Sequence, residues 1–318
     1  KEKNKYEALL YKNETVADID RAAIKQANEF CEGYKAFLNA AKTEREACQA
    51  SEALLQKAGY IAFVPGTNYP AGTKVYTINR KKCVLAATIG KKPMGEGFRL
   101  NIAHIDCPRL DLRPVPMFEK EGLAYFRTHY YGGVRKYQWP TIPLAIHGVL
   151  YKADGECVEL NVGEKDDDPV FCISDLLPHL GAEQNAKKLP DAITGENLNV
   201  IIGSLPVEDK DVESRIKINV LLLLNATYGI TEKDFVRAEV EIVPAFKARD
   251  VGFDRALIGS YGHDDRVDAY PALMAEIETK DPAYTTVCVL TDKEETGSDG
   301  VTGLNSMYTF HFLQQLCA

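Results

Sequence analysis

The sequence predicts an α/β fold with a mostly β insertion, on three observations. Two amphipathic helical patterns lead into short strand candidates. A stretch from about 113 to 234 is then broken by Pro and Gly into short β-like pieces. After it, a buried strand and further helices return. The expected division is 1–112 and 235–318 for the two parts of the α/β unit, and 113–234 for the insertion.

Residues from about 18 to 58 read as helical. Phe30, Tyr34, Phe37, Leu38 and Ala41 recur on one helix face. Thr43 and Glu46 have the spacing of a capping box, which opens a second helix. Ala47, Ala50, Leu54 and Ala58 would face inward, and Gly59 would end that helix. Pro65-Gly66 and Gly72 mark turns. Strands are expected at 74–79, 83–89 and 98–103, the last running directly into His104-Ile105-Asp106. Pro108, Pro114, Pro116, Tyr131-Gly132-Gly133, Pro140 and Pro143 punctuate the next stretch of chain, and 180–200 is polar and loop-rich. Val236, Ala238, Val240 and Ile242 then alternate with Arg237, Glu239 and Glu241, a half-buried strand by period two that marks the return of the α/β part. A helix is expected after Asp268, with Pro271 near its start. A buried strand comes next at 284–291, and Leu304, Tyr308, Phe312 and Leu316 line the last helix.

Bulk properties narrow the function classes. The 318 residues are 45% hydrophobic and 26% charged, the balance of a soluble globular protein and long for a single core. The longest apolar run, Val220 to Leu224, is too short to span a bilayer. The polar start, Lys1 to Lys5, has no apolar stretch after it, so no signal peptide is expected. A net charge of −8 argues against nucleic acid, because no basic stripe can replace its counterions. Lys81, Lys82, Lys91 and Lys92 read as a solvated turn and strand edge. The eight cysteines (Cys31, Cys48, Cys83, Cys107, Cys157, Cys172, Cys288 and Cys317) form no Cys-x-x-Cys pair. They read as buried free thiols in a reducing, cytoplasmic setting, which argues against a thiolate metal site.

Three clusters carry chemistry. His104-Ile105-Asp106 is thrown out beyond a strand end, where an imidazole can ligate a metal and the acid can hold its other nitrogen. Alone, such a His-x-Asp is more often a surface turn. His263-Asp264-Asp265-Arg266 comes after Gly262; adjacent acids there suit a helix start, or one of them bridges two cations. Asp292-Lys293-Glu294-Glu295-Thr296-Gly297-Ser298 directly succeeds a buried strand, where ligands of open α/β sheets gather. One glutamate could bind metal while the other moves a proton; the alternative is an exposed charged loop. Together the three offer the nitrogen and oxygen donors that zinc accepts, plus the free carboxylate that amide hydrolysis needs.

In this order, His104-Ile105-Asp106-Cys107-Pro108-Arg109-Leu110-Asp111, Gly262 to Arg266 and Asp292 to Ser298 resemble the aspartyl aminopeptidase/aminopeptidase I family of zinc metallopeptidases. Tyr131-Gly132-Gly133, Pro143-Leu144-Ala145, Val243-Pro244-Ala245 and Ala248 to Gly252 add to the likeness, in the family's bacterial branch, from about residue 20 to 318. The resemblance implies a zinc-exopeptidase-like mixed sheet flanked by helices. It implies two zinc ions, with cobalt or manganese also suited to the donors. His104 would ligate the first ion, with Asp106 orienting it. Asp264 would bridge, Glu295 would ligate the second ion, and Glu294 would be the general base and acid. Peptides would be the substrates, with no nucleic-acid or membrane partner. The inserted part would make dimers that assemble into dodecamers. Ile173 to Leu180 resembles a segment whose histidine reaches a neighbouring subunit's active site. Pro178 departs from that pattern, so His179 is either such a substrate contact or a buried structural histidine. The family supplies an aspartate and a histidine ligand well after the Glu-Glu motif, which these 318 residues do not reach. The expectation is therefore a fragment, or the ordered part of a longer chain, incomplete as a catalyst alone. A related amidase or deacetylase, or a non-catalytic assembly protein of the same fold, fits the same residues.

Overall fold

The computed structural model describes Tyr6, Leu9 to Tyr11 and residues 20–317; the polar residues 1–5 and the expected helix start at 18 lie outside these. Helix α1 (Arg21–Ala40) and helix α2 (Glu44–Lys57) come first. The Thr43–Glu46 capping box forms in full, and Gly59 leaves α2 with φ of 84°. Tyr34, Phe37, Leu38 and Ala41 are buried as the periodicity predicts, while Phe30 stays half-exposed. The inward face of α2 is rotated by about one position: Ala47, Cys48, Ser51 and Leu55 are buried, and Ala50, Leu54 and Ala58 flank them.

A five-stranded mixed sheet is built from β1 (Ile61–Ala62), β2 (Lys74–Asn79), β3 (Cys83–Thr88), β4 (Arg99–His104) and β13 (Thr286–Thr291), in the order β1-β2-β3-β13-β4. Strand alternation splits its side chains between two cores. Tyr76, Val84, Ala86, Cys288 and Leu290 pack with α1, α2 and α6 (His263–Glu278). Val75, Leu85, Ala87, Val287 and Val289 pack with Phe312 and Leu316 of α7 (Met307–Cys317). Helices on both faces explain why every residue of β3 is buried. Pro271 falls inside α6 and not in its first turn, where its missing N–H removes one helical bond.

A second, six-stranded sheet has the order β8-β7-β10-β5-β6-β9. Its strands are β5 (Arg109–Lys120), β6 (Leu123–Tyr131), β7 (Leu144–Tyr151), β8 (Cys157–Val162), β9 (Val200–Gly203) and β10 (Ala238–Pro244). The alternating strand at 236–242, assigned from the sequence to the returning α/β part, is β10. It pairs with β7 and β5 inside this second sheet. Two four-residue helices, α3 (Ala182–Asn185) and α4 (Leu189–Ala192), lie in the polar stretch. Helix α5 (Arg215–Tyr228) interrupts the β texture, burying Ile216 and Val220 at i and i+4. The unbroken apolar run Val220 to Leu224 hides that period, although Gly229, in the left-handed region, is an ordinary helix stop. A hairpin of β11 (Arg249–Val251) and β12 (Leu257–Gly259) precedes α6. No helix among the described residues is long and apolar enough to cross a membrane.

Two expectations need correction. Lys82 is buried and paired with Glu44 at 2.9 Å and Glu239 at 3.2 Å, so it belongs to a structural ion cluster and not to a solvated turn. Among the free cysteines, Cys48, Cys83, Cys107 and Cys288 are buried, but Cys157 and Cys317 are exposed and Cys31 and Cys172 lie between.

The two sheets are fastened at the start of α2. Buried His147 on β7 lies 2.7 Å from Glu46 and 3.1 Å from Glu164. Burial alone would depress this imidazole, but the hydrogen bonds and charges of Glu164 and Glu46 overcome it and hold it at about 9, above the ordinary 6.5. The folded chain therefore binds this proton more tightly than the unfolded chain. The resulting stabilisation, about 3 kcal/mol, is complete below pH 6.5 and disappears as pH rises through about 9. Denaturant midpoints should fall across that window, and His147→Gln should flatten the fall.

Candidate metal centre

The parallel pair β4 and β13 ends in register, with Thr291 opposite His104. Both strands therefore release their loops at one end of the sheet, where ligands of α/β sheets collect. From β4 comes His104, from the loop after β13 come Glu294 and Glu295, and from the start of α6 comes Asp264. Donor atoms of His104, Asp264 and Glu295 lie within 4.8 Å of one another, and this is the metal-capable cluster found among the described residues. His104 Nε2 stands 3.2 Å from Asp264 Oδ1 and 3.6 Å from Glu294 Oε2.

Asp106 organises this arrangement from beneath and is fully buried. His104 Nδ1 lies 2.9 Å from its carbonyl oxygen and 3.2 Å from its carboxylate, so the Nδ1–H points at Asp106 and Nε2 faces the acids. The same carboxylate accepts the backbone N–H groups of Glu294 and Glu295, each at 3.2 Å, and the phenol of Tyr131 at 2.6 Å. Lys293 and Gly297 hold left-handed backbone at either end of the short turn Glu294–Thr296. Asp292, also fully buried, accepts from Thr302 at 2.6 Å and anchors the loop's start.

The electrostatics suit a cation. Burial raises the Glu295 carboxyl, and the Asp264 charge raises it further. Burial likewise pushes Asp265 up to about 6, against the pull of His104. Burial opposes the imidazolium of His104, yet Asp106 and Asp265 hold it at about 9. Nitrogen and carboxylate donors this crowded fit a divalent ion such as zinc.

Glu295 lies against Gly132, which has φ of 69°. A Cβ there would stand 2.9 Å from Glu295 Oε2 and 3.0 Å from its Cβ. Gly132→Ala should displace that carboxylate, weakening metal binding about tenfold and costing about 1 kcal/mol of stability. Zinc competition with a chelator and a denaturation curve measure the two effects separately.

A model of the aminopeptidase I zinc metalloprotease family (M18) matches residues 37–318. The chain belongs to the M18 family. A probable M18 family aminopeptidase 1 of Clostridium acetobutylicum is 46% identical over 293 residues, covering 91% of this chain and 63% of that protein. The corresponding protein of Thermotoga maritima is 44% identical over 292 residues, covering 92% and 64%. The crystal structure of the M18 aminopeptidase from Thermotoga maritima superposes with a TM-score of 0.91 at 42% identity, covering 97% of this chain and 67% of that one. Aminopeptidase I from Clostridium acetobutylicum gives 0.87 at 39%, covering 96% and 69%. The M18 chain thus spans less than two thirds of the length of these curated relatives. The expected fold, a mixed sheet flanked by helices with further β structure, is the fold of these M18 structures.

Within this M18 chain, His104, Asp106, Asp264, Glu294 and Glu295 come together. His179 does not join them. It is exposed on the turn before α3 and is not buried within this chain, and the contact expected of it is with a neighbouring subunit. His263 is engaged elsewhere, with Nδ1 2.9 Å from the Tyr34 hydroxyl and Nε2 3.0 Å from the Ile258 carbonyl. His311 is exposed on α7 and outside the cluster. Sequence reasoning assigned no role to Arg266. Fully buried, it donates to the carbonyls of Lys42 and Ile105 at 3.2 and 3.0 Å and so ties α6 to the β4 loop. Cys107, also buried, donates to the Asp264 carbonyl at 2.7 Å. The signal for both was adjacency to the acidic motifs.

Proposed function

We propose that this M18 chain takes part in metal-dependent hydrolysis of the N-terminal peptide bond of peptides, at a dinuclear zinc centre. The convergence of His104, Asp264 and Glu295 carries the reading, with Glu294 beside them. His104, through Nε2, and Glu295 would hold the ions, with Asp264 shared between them. Bound zinc supplies a Lewis acid for the peptide carbonyl and lowers the pKa of water. Glu294 takes a proton from the attacking water and passes it to the leaving amine nitrogen. Asp106 keeps the Nδ1 proton of His104 in place and so keeps Nε2 directed at the ion. A cleft of about 1040 Å³ beside Asp264, with Tyr261, Trp139 and Phe246 among its lining, has room for a short peptide.

Catalytic zinc takes three protein ligands. His104, Asp264 and Glu295 make one such set; shared through Asp264, they give each of two ions two. On that count residues 1–318 by themselves should hold zinc more weakly than a chain supplying three per ion, which equilibrium dialysis and metal analysis measure. The family likeness further supports a cytoplasmic homo-oligomer with the inserted part, about 113–234, as the dimer contact, and sedimentation of the protein with and without that part tests it. The decisive assay is product analysis on zinc-loaded, native-length protein. Free-amine peptides should lose their first residue and N-acetylated ones should survive; the reverse result would assign the centre to an amidase or deacetylase.

A further inference from the structure

Asp106 receives one hydrogen bond from outside the α/β sheet. Tyr131 is the last residue of β6, in the second sheet, and its phenol donates to Asp106 Oδ2 at 2.6 Å. The Tyr131 ring is itself held. The Arg109 guanidinium lies 3.9 Å from its centroid and Lys293 Nζ lies 5.1 Å from it. Arg109 is anchored in turn by buried Glu44 at 3.1 Å and Glu241 at 3.2 Å. Tyr131 itself is buried. Beyond Tyr131, Gly132 packs on Glu295.

We propose that Tyr131 is a positioning residue for the metal centre: its hydroxyl fixes Asp106, and through Asp106 both the His104 ring and the Glu294–Glu295 turn. The physical reason is geometric. Asp106 Oδ2 accepts from Tyr131 and from the Glu295 amide, while Oδ1 faces the Glu294 amide and His104 Nδ1. A carboxylate with two oxygens so committed has one rotation that satisfies all its donors. Without the phenol, the carboxylate can turn toward His104 and release the Glu295 amide. The centre's geometry therefore depends on where the second sheet places β6.

Tyr131→Phe removes one oxygen and keeps the ring between its two cations. The inference rests on the metal-centre reading but not on peptide cleavage, so its test reads metal directly. In the native-length protein, zinc affinity by chelator competition should fall up to about 10-fold, the lower end of the weight of a metal ligand's hydrogen-bond support, because Tyr131 acts one bond further out through Asp106. The visible spectrum of the cobalt-substituted protein should change, because the ligand field reports His104 and Glu295. Tyr130→Phe, at an exposed neighbouring position, should change neither. In a double-mutant cycle with Asp106→Asn, the two losses of zinc affinity should be strongly non-additive. Wild-type zinc affinity and spectrum in a folded Tyr131→Phe protein would overturn the proposal, as would additive losses in the cycle. If the wild-type protein binds zinc in a Tyr131-dependent way but cleaves no peptide, the positioning role stands and the aminopeptidase reading falls.

Discussion

Glu294→Gln should retain its metal and lose about two to four orders of magnitude in turnover, the weight of a general base. The expectation comes from placement. Glu294 reaches His104 Nε2 at 3.6 Å but stands outside the His104–Asp264–Glu295 group, and its side chain is 55% exposed on the side open to solvent. It can therefore meet a water molecule without giving up a metal bond. Glu295→Gln should behave differently, because that carboxylate is one of the three donors: metal content should fall first, and turnover with it. Metal analysis alongside steady-state kinetics separates the two. Stoichiometric metal loss in Glu294→Gln would mean that the glutamate roles are exchanged.

Arg109→Met should lower stability by roughly 3–5 kcal/mol, the usual result of removing one partner from a buried charge cluster. Arg109 Nε faces Glu241 at 3.2 Å and Asp111 at 2.9 Å, and its Nη1 faces Glu44 at 3.1 Å. Burial pushes the Glu241 carboxyl well above the usual range even with Arg109 pulling it down, so loss of the cation would drive it higher still and leave Glu44 and Glu241 as buried acids short of a partner. Glu44 would keep Lys82 at 2.9 Å. The double variant Arg109→Met/Glu241→Gln should recover part of the loss. Urea denaturation monitored by circular dichroism gives both values, and a single-variant loss under about 1 kcal/mol would show that the cluster relaxes or admits water.

Much of the α/β sheet was legible because its signals are local. The capping box at Thr43, the glycine stop at Gly59 and the buried run of β13 each depend on residues near in sequence. The residues of the candidate cluster were legible for a related reason: His104 sits at one strand end and Glu294-Glu295 just past another, so the acids and the imidazole lie where chain direction changes. The features that escaped notice depended on partners far apart in sequence. The alternation at Val236 to Ile242 correctly signals a strand, but alternation says nothing about which sheet takes it, and β7 and β5 do. Lys82 looked solvated because lysines usually are; its partners, Glu44 and Glu239, come from a helix and from a strand of the other sheet. Tyr131 stood out only as part of a Tyr-Gly-Gly turn, since nothing nearby in sequence announces a bond to Asp106.

Glu46 carries a consequence for anyone who recombines this protein with its relatives. One carboxylate oxygen accepts the backbone N–H groups of Lys42 and Thr43 at 3.0 and 3.1 Å, closing the helix cap. The other receives His147 at 2.7 Å from the second sheet. A residue that looks like a helix-start signal is thus also half of a joint between segments about a hundred positions apart. A chimera joined at 113 and 234 would keep the cap, yet it would split β5, divide β10 from β7, and match Glu46 with another protein's β7. Crossovers placed at about 108 and 245 keep the second sheet whole, and they succeed only if the donor sheet brings a histidine and acids that fit the α2 of the recipient.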